Sequence, residues 1–154
     1  MQKETHFLEI TNSKKIWAIG SIHSRLESFI SIKKYLLENF KKDDYLVFLG
    51  NVIGLGENSK QTLSSVIDLR NKLMAKFLLQ PSKIIFLRGA QEEMFLKLLQ
   101  LQTAPNPQDI IMWMLDHGVN ATIKSYGLSA EDIINISSQG ALAISKWTKK
   151  LNYR

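Results

Sequence analysis

Between Lys15 and Gly89, apolar residues fall into short continuous runs that stop at a glycine or just past one, and these runs alternate with longer stretches at helical spacing. The runs are Lys15–Gly20 (KIWAIG), Tyr45–Asn51 (YLVFLGN) and Lys83–Gly89 (KIIFLRG). Continuous apolar runs of this length predict parallel strands covered on both faces. Between the first two, Ser24–Phe40 predicts a helix. Ser24 and Glu27 stand at capping-box spacing, and Leu26, Phe29, Ile30, Leu37 and Phe40 form an apolar stripe opposite Lys33, Lys34 and Glu38. A second helix, capped by Asn58 or Ser59, runs to about Leu79 through Leu63, Val66, Ile67, Leu69, Leu73 and Phe77. Pro81 separates it from the third strand, and Ala90–Gln102 resumes a helix.

Beyond Gln102 the pattern is helical throughout. Pro105 and Pro107 close the preceding segment, Asn106 caps a new helix with Pro107 in its first turn, and Gly118 lies past its end. Met112, Trp113 and Leu115 form its expected core face. Ser129 with Asp132 marks a further helix start, and Ala141–Arg154 reads as a last amphipathic helix. Before Lys15 the chain is a polar lead-in with one expected edge strand at Phe7–Ile10. The order strand, helix, strand, helix, strand, helix predicts an α/β fold: a parallel-sheet βαβαβ core with right-handed crossovers, in one domain over 1–154.

In such folds functional residues gather at the carboxyl ends of the strands. Those ends read Gly20-Ser21-Ile22-His23-Ser24, Gly50-Asn51-Val52-Ile53-Gly54-Leu55-Gly56 and Gly89-Ala90-Gln91-Glu92. In order, spacing and flanking elements they resemble the three motifs of the calcineurin-like metallophosphoesterases: Gly-Asp-x-His-Gly, Gly-Asp-x-x-Asp-Arg-Gly and Gly-Asn-His-Glu. The leading VFLG and FLRG, and the stretch Trp113–Gly127, resemble the bacterial serine/threonine protein phosphatase branch. The resemblance spans about residues 16–127, with 1–15 as lead-in and 128–154 as helical tail. It implies the N-terminal half of that family's sandwich, and metal-dependent phosphoester hydrolysis as the parent activity.

The residues that carry the family's chemistry are the ones that differ. Ser21 stands for the first metal-binding Asp, and His23 is retained. Asn51 replaces the bridging Asp, Leu55 the phosphate-holding Arg, Ala90 the metal-binding Asn and Gln91 the general-acid His. Two cations about 3.5–4 Å apart need anionic oxygens between them, and these positions supply none. Glutamine donates no proton at neutral pH as a histidinium does, and leucine makes no bidentate phosphate contact. The resemblance also implies further metal-binding histidines in a second half, and no histidine follows Gly127. The expectation is therefore a catalytically inactive, pseudophosphatase-like protein that acts by binding, as an interaction or scaffold subunit. No cofactor is expected. An active form would hold two divalent metals of the Mn, Zn or Fe type, with His23 as the remaining ligand. A residual phosphate or nucleotide module using Asn51 and Arg88, or a phosphoesterase with a rebuilt or partner-completed site, are the alternatives. The missing second sheet predicts a homo-oligomer or a protein partner covering the gap.

Composition narrows this further. Over 154 residues, 45% are hydrophobic and 22% charged, which suits one globular core. The net charge of +6 comes from scattered lysines rather than a basic block, so nucleic acid is not an expected partner. The chain has no cysteine, which excludes thiolate nucleophiles and zinc–thiolate sites. No apolar run reaches the ~18 residues of a membrane span, and the charged N-terminus lacks the core of a signal peptide. A cytoplasmic location is expected. His6 and His117 have no motif support and read as surface residues. Ser21 and His23 lack an orienting acid for a serine-hydrolase arrangement.

Overall fold

The computed structural model describes residues 9, 10 and 13–152. His6 lies outside them, as does half of the expected strand at Phe7–Ile10, whose described residues Glu9 and Ile10 have no regular structure. Three short strands, β1 (Ile16–Ile19), β2 (Tyr45–Phe48) and β3 (Ile84–Phe86), form a parallel sheet in the order β1-β2-β3. Ile16 pairs with Tyr45 and Ile19 with Phe48; Leu46 pairs with Ile84 and Phe48 with Phe86. Helix α1 (Leu26–Asn39) connects β1 to β2, and α2 (Ser59–Phe77) connects β2 to β3 through a short 3-10 turn at Pro81–Lys83.

Register divides the sheet into two faces, because side chains alternate along a strand. Ile19, Leu46, Phe48 and Ile84 point to the side covered by α1 and α2, where they pack with Phe29, Leu36, Phe40, Val66, Leu69 and Leu73. Stacking of Phe48 on Phe86, with ring centroids 4.8 Å apart, extends this core to the edge of β3. At the amino end of the sheet, the buried Asp44 accepts the Trp17 indole N–H at 2.9 Å and the Lys41 amide at 3.1 Å, which ties β1 to the turn before β2.

The opposite face differs from the expected cover on both sides. Ile16, Ala18, Leu49 and Leu87 are exposed there, the first and last two about half so, and a Cβ placed on Gly20 would meet nothing. A sheet whose strands run 1-2-3 with right-handed crossovers carries both helices on one side, so the other stays open. The apolar runs reflect a sheet that presents apolar residues on both faces although helices cover only one.

The remaining helices form a second core. They are α3 (Ala90–Leu99), α4 (Pro107–Met114), α5 (Asn120–Ser125), α6 (Ala130–Ser137) and α7 (Ala141–Asn152). Leu98, Leu101, Ile111, Met114, Ile123, Ile133 and Ile144 are its buried centre. Helix α3 ends at Leu99, short of the expected Gln102, where a 3-10 turn covers Leu101–Thr103. The expected core face of α4 holds only at Leu115, which is half-buried against this core: Ile111 and Met114 are buried, whereas Met112 and Trp113 are exposed. Gly118 lies past the end of α4, as expected. The chain passes through a π-type turn at Leu115–Val119 that is kinked at His117 and Gly118, where the backbone is non-helical and Gly118 takes a φ of 107°, before α5 begins. Ser129 does start α6, its hydroxyl accepting the Glu131 amide at 3.1 Å. No helix among the described residues is long and apolar enough to cross a membrane.

Candidate functional site

The three strand-end loops meet at the carboxyl edge of the sheet and are joined by their backbones. The Asn51 carbonyl accepts the amides of Ile22 and His23 at 3.0 and 2.8 Å, and the Val52 carbonyl accepts the Ser24 amide at 2.9 Å. Four non-glycine residues here have left-handed backbones: His23, Ser24, Asn51 and Leu55, with φ between 48° and 59°. Such conformations are costly for residues with a Cβ and persist where surrounding contacts over-determine them. Gly50 and Gly89 have no room for a Cβ, since each would collide with backbone of the neighbouring loop.

The Ser24–Glu27 capping box does not form. Arg25 is the residue before the helix, and no side chain caps α1. Ser24, buried with its left-handed backbone, instead shares a 2.6 Å hydrogen bond with the buried Ser59 hydroxyl, which lies 3.2 Å from Thr122 Oγ1. The hydroxyls of Ser24 and Ser59 therefore join the first loop to α2 and α5 rather than terminate helices.

Glu92 organises the centre. Its carboxylate accepts four backbone amides: Asn51 at 2.7 Å, Val52 at 2.7 Å, Ile53 at 3.2 Å and Gly89 at 2.9 Å. Converging amides make an anion-binding nest, and here the anion belongs to the chain itself. Glu92 lies in the first turn of α3, where the helix dipole favours a negative charge. Sequence reasoning passed over it because a glutamate in a first helical turn is commonplace; the signal was its place at the end of the third motif.

The expected site residues have distinct fates. Asn51 and Ser21 are brought together, with Asn51 Nδ2 donating to Ser21 Oγ at 3.3 Å, and Asn51 Oδ1 accepts the Gln91 amide at 3.0 Å. Gln91 is buried, and its side chain donates to the His117 carbonyl at 2.9 Å in the π-type turn. His117 sits on the surface, its ring stacked on Trp113 and its Nδ1 2.7 Å from the Trp113 carbonyl. His23 is half-buried, and its Nδ1 has no hydrogen-bond partner among the described residues. Leu55 and Ala90 are exposed. Arg88 is outside this network and pairs with Glu93 at 3.1 Å on the surface.

These groups do not fit a two-metal centre. Ser21, Asn51 and Gln91 are neutral, Ala90 has no ligand atom, and the Glu92 carboxylate has its oxygens turned to four amides. A single imidazole falls short of the three or four protein ligands that hold a zinc ion. Among the described residues, no three His, Asp or Glu side chains converge to hold a metal.

Fold and loops together define a parallel α/β protein whose strand-end loops are hydrogen-bonded to one another around an internal carboxylate. Comparison with family models, curated proteins and solved structures found no match.

Proposed function

We propose that this chain is a binding protein built on the framework of a calcineurin-like phosphoesterase, with no phosphoester chemistry of its own, and that it acts as an interaction or scaffold subunit. The carrying observation is the occupied loop junction. Glu92 takes the amides that could hold an anion, and Asn51 bonds to Ser21 and the Gln91 backbone. Gln91 is turned inward to the π-type turn, where it holds two parts of the fold together rather than facing a substrate. The half-exposed apolar face of Ile16, Leu49 and Leu87 supports a protein partner, since contiguous apolar surface marks association sites.

The test is metal analysis of the purified protein with a phosphoesterase assay in manganese. Absence of stoichiometric metal and of turnover from the folded chain is the expected result. Stoichiometric metal with turnover that His23→Ala abolishes would overturn the reading.

A further inference from the structure

An apolar surface lies along β3 and reaches the loop junction at Val52, Ile53 and Glu92. The sheet ends at β3, which has β2 as its one strand neighbour among the described residues. The Leu87 amide donates to the Phe48 carbonyl at 2.8 Å. In a parallel ladder, alternate residues bond to the same neighbour, so the backbone groups of Phe86 and Arg88 point away from β2. Beside this edge is a cavity of about 410 Å³, bounded by Leu63 of α2, Phe86 of β3, Phe95 and Leu96 of α3, and Tyr126 just past α5. Phe86 and Leu87 are both about half-exposed and face opposite sides of the sheet. The edge is thus apolar on both faces and has a cavity on one of them.

Charge narrows the occupant. Arg88 follows β3, Lys97 lies near Glu93 at 3.9 Å, and Lys60 stands 5.8 Å from the Tyr126 ring centre; Lys83, just before β3, holds its ammonium 4.0 Å from the centre of the Tyr45 ring. Against them stand Glu93, shared between Arg88 and Lys97, and Glu92, whose carboxylate is turned to the loop amides. A rim with excess positive charge opposes pairing of β3 with β3 of a second copy, which would bring Lys83 and Arg88 of both chains together. It favours a strand whose ends are acidic.

We propose that the free edge of β3 is a strand-addition site. It takes an extended segment of a partner protein, apolar at alternate positions and acidic at its ends, with every second side chain entering the cavity beside Phe86. This deepens the binding-protein reading and rests on it.

The intact chain is used to select from a displayed library of random peptides. Enriched peptides are expected to alternate apolar residues between Asp or Glu flanks. Their affinity should fall at least about tenfold with Leu96→Asp, and likewise when proline replaces a central peptide residue and removes a ladder donor. Leu142→Asp, at an exposed position of α7 that does not line the cavity, should leave binding unchanged. Circular dichroism checks that Leu96→Asp is folded, and if it is not, perturbation of the Phe86, Leu87 and Arg88 amide resonances on adding a selected peptide to the unaltered chain takes its place. No enrichment, enriched peptides that bind Leu96→Asp or their proline forms equally well, or resonance changes confined to other regions would overturn the proposal. So would self-association of the chain that Leu96→Asp abolishes, which would assign the edge to a second copy. Phosphoesterase turnover in the same preparation overturns the preceding reading instead, and leaves the peptide result to be judged by itself.

Discussion

At the scale of single residues, the most consequential side chain is one that binds inward. Glu92 gathers four amides from two loops, so truncating it orphans all four beside buried Val52 and Ile53. Hydrogen bonds to a charged group contribute about 1.5–3 kcal/mol, and the loops can recover part of the loss from water. Glu92→Ala is therefore expected to cost about 3 kcal/mol in urea unfolding, and a cost below ~1 kcal/mol would refute its organising role. Ser24 shows how the same residue type misleads in sequence. Its spacing to Glu27 signals a helix start, yet a φ of 59° and a 2.6 Å bond to Ser59 place it one residue before the cap. Spacing alone does not reveal backbone handedness, which here comes from contacts with the second loop.

At the scale of elements, two features stand out. Helix α2 is capped by Leu78, an exposed leucine with φ 51° whose amide and that of Leu79 both bond to the Met74 carbonyl. A left-handed leucine costs about 1–2 kcal/mol, and glycine gives back roughly half of that in unfolded-chain entropy. Leu78→Gly is thus expected to raise stability by about 0.5–1 kcal/mol, measured as a shift in urea midpoint at unchanged slope. The second feature ties α1 to α2. Lys33 meets Asp68 at 2.7 Å and Ser65 at 3.0 Å, and Lys72 meets Asp68 at 2.8 Å. Hydrogen bonds from Lys33 and then Lys72 hold the Asp68 carboxyl below its ordinary 3.8. A depressed folded-state value means the stabilisation is present above 3.8 and is lost as pH falls through the lower folded value. Melting temperature should fall over that acid range less steeply in Asp68→Asn than in the unaltered chain; parallel curves would show the pair to be without thermodynamic weight.

At the scale of the whole molecule, the described residues cover the sheet on one side. Phe48 is fully buried beneath α1 and α2, while its neighbour Leu49 is half-exposed on the other face. Phe48→Ala should cost about 3–5 kcal/mol, whereas Leu49→Lys should change stability by no more than ~0.5 kcal/mol. Equal costs, read from thermal or urea unfolding, would mean that the second face is covered as well.

The alternation of apolar runs and helical stretches was enough to read the three strands, their parallel order and the helices between them, because period and length report directly on local backbone. The three loops were legible for the same reason, since each begins where an apolar run stops. Their internal chemistry was legible only as substitutions: Ser21, Asn51, Ala90 and Gln91 announce neutral groups but not where those groups point. Three-dimensional packing decided that Gln91 turns inward to His117, that Arg88 pairs with Glu93, and that the chain kinks at His117 and Gly118 between α4 and α5. It also decided which of the apolar residues are covered: Ile111 and Met114 rather than Met112 and Trp113, and one sheet face rather than two. Sequence by itself determined what each segment can bury and which charges it can offer. Only the tertiary structure decided which surfaces met, because burial and hydrogen-bond direction depend on partners distant in the chain, as Glu92 and Asn51 are.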